Sequence, residues 1–140
     1  MSDALPEIAR AVIRRPAARC FASFCDALRL RDWLPGLQRA RVVTSDEHGF
    51  PSEVLFEYGD AWSYALRYTY DPARRRVEWE PITFKRDAVT GFAEFADHAD
   101  GCEMTYAVRP ASDHAAPSRA GDPHAIVDAF ARWIGSQPER

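Results

Sequence analysis

The residues best equipped for chemistry lie in one short run, Trp62-Ser63-Tyr64-Ala65-Leu66-Arg67-Tyr68-Thr69-Tyr70. Every second residue is large: Trp62, Tyr64, Leu66, Tyr68 and Tyr70. That period of two predicts a β-strand with one face turned inward. The face is apolar, yet it carries three phenolic hydroxyls that need hydrogen-bond partners once buried. Such a surface suits the wall of a ligand cavity. It equally suits an aromatic core whose hydroxyls reach the rim, and the spacing leaves both readings open. Tyr64 and Tyr68 are the candidate catalytic residues, and they could serve only as acids. A phenol with an unshifted pKa of about 10 is a poor base at neutral pH. Arg67 is the one cation in mid-strand, and its parity sends it to the opposite, solvent face.

Nothing elsewhere supplies the missing base. His48, His98, His114 and His124 fall in predicted loops or at a helix start. None has a Cys or His partner at metal-ligand spacing, so no metal site is expected. There is no Gly-rich phosphate loop, no HExxH and no local triad signature, so no cofactor, nucleotide use or triad hydrolysis is expected. Cys20, Cys25 and Cys102 are odd in number, and no export signal precedes them, so they are expected to be free thiols. Cys20 falls on the apolar side of a predicted helix, where a thiol packs as a small hydrophobe.

At 140 residues the chain is read as one domain, residues 1–140, large enough for a real core. Its 46% hydrophobic and 28% charged residues are ordinary for a soluble globular protein. No apolar run approaches the ~20 residues that span a bilayer, so no integral membrane segment is expected. Met1 to Pro6 lacks the pattern of a signal peptide, which makes the cytoplasm the expected location. The net charge of −3 gives no global attraction to nucleic acid, and no nucleic-acid partner is expected. The first 45 residues hold eight arginines against Asp3, Glu7, Asp26 and Asp32. Their spread favours a solvated surface, with a basic face for an anionic or protein partner as the alternative.

The elements that must position these residues follow from the changes of period. Glu7 to Arg14 reads as a strand, with Ala9, Ala11 and Ile13 on one face. Pro16 can open a helix, and Cys20, Phe21, Phe24 and Leu28 recur at helical spacing over Ala17 to Leu28. Leu30 to Leu34 predicts a short second helix stopped by Pro35-Gly36. Period two then takes over. Strands are predicted at Arg39–Ser45, Ser52–Tyr58, Trp62–Tyr70, Arg76–Glu80, Asp87–Ala96 and Cys102–Arg109, joined by turns such as Asp46-Glu47-His48-Gly49, Asp71-Pro72-Ala73 and Asp100-Gly101. Residues 110–122 read as a loop. Asp122-Pro123 signals the start of a closing helix striped by Ile126, Val127, Phe130, Trp133 and Ile134. The order β-α-α-β-β-β-β-β-β-α implies one antiparallel sheet with a buried face and a wet face. The apolar stripe of the last helix must cover the aromatic face of that sheet.

This order and several local sequences resemble the START-like (SRPBCC) superfamily, often labelled polyketide cyclase/dehydrase and lipid transport. Ile13-Arg14-Arg15-Pro16 with Cys20-Phe21 resembles its strand-then-"aPxxxVF" opening. Asp26 with Asp32-Trp33-Leu34-Pro35-Gly36 is similar to its "D…W-L-P-G" segment. Tyr64 to Pro72 and Arg76 to Pro81 resemble its "Y-x-L-x-Y-x-x-D-P…V-x-W-x-P" strand pair. Gly91, Phe95, Asp100-Gly101 and Thr105-Tyr106 match its "G…F…DG…T-Y" hairpin. The resemblance covers nearly the whole chain, and its motifs are mostly structural. It implies an α+β helix-grip (START/Bet v 1-like) fold: a curved antiparallel seven-stranded sheet wrapped around a C-terminal helix, with two short helices after strand 1. The closing helix departs from the pattern. At about four turns it is short, which leaves the cavity smaller or more open.

The resemblance also implies a hydrophobic small-molecule ligand, such as a lipid, a polyketide or another aromatic or acyl compound, held between sheet and C-terminal helix. Its expected wall is Phe56, Tyr58, Trp62, Tyr64, Leu66 and Tyr68 on the central strands. Trp79, Phe95 and Tyr106 join from the other strands, and Trp33, Phe130 and Trp133 from the helices. Trp33 either closes one end of the cavity or plugs the core beneath its turn. Phe130 and Trp133 either line the cavity or form plain helix–sheet core. Two alternatives stand beside binding. One is a cyclase/aromatase- or dehydratase-type enzyme, which needs a donor for a developing alkoxide and a group that moves protons. The other is a protein-interaction module with a vestigial cavity, supported only by the basic N-terminal region.

Overall fold

The computed structural model describes residues 7–58, 63–82, 89–110 and 122–138. Trp62 and, within the predicted loop 110–122, residues 111–121 with His114 lie outside the described residues. Seven strands form one sheet in the order β1-β7-β6-β5-β4-β3-β2, antiparallel throughout. They are β1 (Glu7–Ile13), β2 (Leu37–Ser45), β3 (Pro51–Tyr58), β4 (Ser63–Asp71), β5 (Arg76–Pro81), β6 (Val89–His98) and β7 (Gly101–Pro110). Two short helices, α1 (Ala17–Phe24) and α2 (Leu30–Trp33), follow β1, and α3 (Pro123–Ser136) closes the chain. This is the helix-grip arrangement.

Alternation decides which side chains face inward. Val54 and Phe56 on β3, Tyr64 and Leu66 on β4, and Val77 and Trp79 on β5 are all buried. Their neighbours point outward: Arg67 on β4 lies 3.6 Å from Glu53 of β3, on the solvent face that its parity requires. Across the β3–β4 pair Phe56 sits opposite Tyr64, and their rings stack at 5.2 Å and 8°.

Helix α1 buries Ala17, Cys20, Phe21 and Phe24, but it ends four residues before the predicted Leu28. The Asp26 carboxylate accepts the Leu28 backbone N–H at 3.1 Å and starts a 3-10 turn over Ala27–Arg29. A 3-10 turn holds about three residues per turn, so the α-helical stripe loses its phase there. Leu28, expected on the buried side, is therefore 76% exposed, while Ala27 and Leu30 turn inward.

Asp122 caps α3 by accepting the His124 N–H at 3.1 Å, with Pro123 in the first turn. Ile126, Val127, Phe130 and Ile134 form its buried stripe, and Trp133 stays half-buried beside them. The helix packs chiefly on β1, with β7, α1 and α2 beside it. At its far end the Arg15 guanidinium donates to the carbonyls of Gly135 (2.9 Å) and Gln137 (3.3 Å). That places a cation at the negative end of the helix and ties it to the β1–α1 junction.

Gly91 on β6 lies beneath the Trp79 indole. A Cβ there would collide with the Ala107 carbonyl oxygen and sit 2.9 Å from the Trp79 ring. Gly91→Ala is expected to destabilise the protein by about 1–3 kcal/mol through overpacking, read as a fall in the urea midpoint. An unchanged midpoint would show that β6 yields without cost.

Candidate functional site

An apolar hollow of about 40 Å³ lies under the inner face of the central strands. Phe24 and Cys25 at the end of α1, with Ala27, Leu30, Trp33 and Leu34 after them, form one side. Pro51, Val54, Phe56 and Tyr58 from β3 and Tyr64, Leu66, Tyr68 and Tyr70 from β4 form the other. Val77 and Trp79 of β5 and Tyr106 of β7 complete the lining.

Eight residues of the expected wall come together here: Trp33, Phe56, Tyr58, Tyr64, Leu66, Tyr68, Trp79 and Tyr106. Three do not. Phe95 and Phe130 are fully buried against Phe24, with ring centroids 5.7 and 5.5 Å away. Trp133 leans on Phe130 at 5.9 Å. The expected place for the hollow is between the sheet and the C-terminal helix, yet α1, α2 and the turn between them enclose it. The cause is length and placement. At 14 residues α3 is about 21 Å long, and it lies over β1 and β7. Phe24 fills the space between that helix and β5, so the hollow opens only beyond it. Tyr70, on the strand face read as a possible wall, lines it too, and Val54 and Val77 join it without having been expected there, although they share inward parity with residues that were. Ala27 and Leu30 depend on the 3-10 turn, and no periodicity announces them.

The polar atoms of the wall fall into two groups. Tyr70 donates to the Pro51 carbonyl at 2.6 Å, and the Tyr58 and Tyr64 hydroxyls meet at 3.3 Å. The Tyr68 and Tyr106 hydroxyls have no hydrogen-bond partner among the described residues. Neither has the Trp33 indole Nε1, although Trp33 is only 6% exposed.

Among the described residues the wall carries no carboxylate, histidine, lysine or arginine. The titratable groups among them are phenols and one thiol. Burial raises all five tyrosines, and neighbouring phenols add to the rise in Tyr64, Tyr68 and Tyr106. Burial pushes the Cys25 thiol up to about 12. All three cysteines are free and buried. The described residues of the wall are therefore neutral at physiological pH, and they offer hydrogen-bond donors and no base. Among the described residues no cluster of His, Cys, Asp or Glu could hold a metal ion. No described helix is long and apolar enough to cross a membrane.

No family model matches the chain, and no curated protein matches it. Solved structures do. The protein TTHA0849 from Thermus thermophilus is similar over 95% of this chain and 100% of its own, with a TM-score of 0.74 and 11% identity. A STAR-related lipid transfer protein from Xanthomonas axonopodis covers 94% of this chain and 86% of its own, with a TM-score of 0.67 and 14% identity. The Zhui aromatase/cyclase from a Streptomyces species has the same coverage and identity, with a TM-score of 0.64. At such identities the likeness shows the fold, which is the START/SRPBCC-like helix-grip fold.

The raised phenols give a pH dependence with a definite sign. A group whose folded pKa lies above its unfolded value of about 10 stabilises the fold fully below pH ~10. That contribution is lost as the pH climbs toward the folded pKa. Stability is therefore expected to fall above pH ~10, with tyrosinate absorbance appearing together with unfolding. A tyrosinate step near pH ~10 in protein that is still folded would contradict the buried, neutral wall.

Proposed function

We propose that this protein binds an apolar small molecule in the hollow between the α1–α2 segment and strands β3–β5, and acts as a binder, not as a proton-transfer catalyst. The observation that carries this reading is the wall itself: rings and aliphatic groups with a few donors, and nothing ionised at neutral pH among the described residues. Such composition is typical of small-molecule sites, where burial supplies affinity and a few polar atoms set orientation. The lipid transfer protein and the aromatase/cyclase that share the fold are consistent with an apolar ligand. A cyclase needs a base as well as a donor. Tyr64 and Tyr68, held neutral by burial, provide only the donor.

The hollow is small. About 40 Å³ accommodates a water molecule or a methyl-sized group, whereas pockets for drug-sized ligands run to roughly 300 Å³ and more. Binding therefore requires the rim to move outward. Leu34, Pro51, Tyr58 and Tyr70 are among the half-buried members of the wall, and their exposed edges give it room to open.

Two measurements test the reading. Organic extraction of purified protein followed by mass spectrometry is expected to release an apolar compound. Adding that compound back is expected to raise Tm in the native chain and not in Leu66→Trp, which fills the hollow. Ala27→Phe, on the α1–α2 side of the hollow, serves if Leu66→Trp does not fold. Absence of any apolar ligand, or binding that survives both substitutions, would remove the site. Turnover of a poly-β-ketone that is lost in Tyr64→Phe and Tyr68→Phe would favour the enzyme instead.

A further inference from the structure

Two cysteines far apart in the chain meet inside the fold. Cys20 lies on the buried side of α1, and Cys102 is the second residue of β7. Both are free and fully buried. The backbone between β1 and α1 brings them together. Cys102 pairs with Ile13 across the β1–β7 ladder. Its neighbour Gly101 lies so close to the junction that a Cβ there would sit 2.9 Å from the Arg15 carbonyl oxygen. The Cys20 sulfur approaches the same oxygen at 4.0 Å. The two thiols lie within hydrogen-bonding reach of one another. The Cys20 thiol donates to the Cys102 sulfur, which lowers the Cys102 pKa and raises that of Cys20. Cys102 is accordingly the first of the two to ionise, and the thiolate is the nucleophilic form of cysteine. Arg15 also holds the end of α3 through its guanidinium, so β1, α1, β7 and α3 converge at this joint. Cys25, by contrast, lines the hollow.

We infer that Cys20 and Cys102 form a reversible intrachain disulfide when the protein meets a peroxide, and that the bridge fastens α1 to β7. The Cys102 thiolate attacks one oxygen of hydrogen peroxide. The O–O bond breaks, hydroxide leaves and takes up a proton, and Cys102 becomes a sulfenic acid. The Cys20 sulfur then attacks the Cys102 sulfur. The S–O bond breaks, and water departs with the Cys20 proton. Two thiols lose two electrons, and the peroxide is reduced to two waters. A depression lined by residues 14–16 and 97–101 borders the same joint and gives a small oxidant its approach. Burial of both sulfurs makes the reaction slow, because a brief local opening must precede it. The bridge closes a loop of about 80 residues and so restricts the unfolded chain strongly. The inference stands apart from the hollow and from whatever it binds.

The test starts from the whole chain, fully reduced and then exposed to hydrogen peroxide at neutral pH. The intact mass is expected to fall by two hydrogens. Free thiols are then alkylated, and chymotryptic mapping without reductant places the bridge. Cleavage at Phe21 and Phe24 separates Cys20 from Cys25. The expected product links the Cys20 and Cys102 peptides. Tm is expected to rise by roughly 5–10 °C and to return to its reduced value with dithiothreitol. Cys20→Ala and Cys102→Ala are each expected to lose both the bridge and the rise. A bridge to Cys25, a bridge between two chains, or sulfinic acid without a bridge overturns the inference. A bridge that leaves Tm unchanged or lowers it does the same, since the joint is then not fastened by it. Unchanged mass in the folded chain, under peroxide that oxidises the same chain in urea, overturns it too. If either alanine variant does not fold, the mapping and the Tm of the native chain decide alone.

Discussion

The contact on which the architecture turns is the ring of Phe24. It meets Trp33 at 5.4 Å, Phe95 at 5.7 Å, Phe130 at 5.5 Å, and Trp79 and Tyr106 at slightly greater distances. One side chain at the end of a two-turn helix thus joins α2, β5, β6, β7 and α3. Edge-to-face and tilted pairs of this kind contribute beyond their buried area. Phe24 also marks a boundary. On its α3 side the space is filled by Phe95, Phe130, Met104 and Ile134. On its β4 side the packing leaves the hollow.

Most of the architecture could be read from alternation and turn chemistry. The strands at β3, β4, β5 and β7 carry uninterrupted period-two patterns, and each lies where its pattern begins and ends within a residue or two. Arg67 and Glu53 face outward together because parity leaves them no choice. The interval between α1 and β2 was less legible. There a single carboxylate, Asp26, outweighs the helical phase by capping a tight turn, and one residue's rotation exchanges Leu28 for Ala27 at the buried surface. Local hydrogen bonding of this sort competes with periodic structure and leaves no trace in a hydrophobic pattern.

The position of the hollow was hidden for a different reason. Periodicity tells which faces of the elements are buried, not how two buried faces share the space between them. Phe130, Phe95 and Leu66 are indistinguishable as inward apolar residues. Only the reach of α3 and the bulk of Phe24 sort them into core and wall. The chemistry of the wall was easier to anticipate. Tyrosines without a neighbouring base were visible in the chain, and burial makes them less acidic still. That the Trp33 indole N–H finds no acceptor among the described residues was not visible, because satisfaction of a donor belongs to three-dimensional packing alone.

The separation of α3 from the hollow has an evolutionary consequence. Arg15 clasps one end of that helix, and Ile126, Phe130 and Ile134 anchor its length, yet none of these side chains lines the hollow. Substitutions that reshape the wall on β3 and β4 leave the anchorage of α3 intact. The scaffold can therefore exchange one ligand preference for another without first giving up its fold, which makes recognition in this protein unusually free to drift.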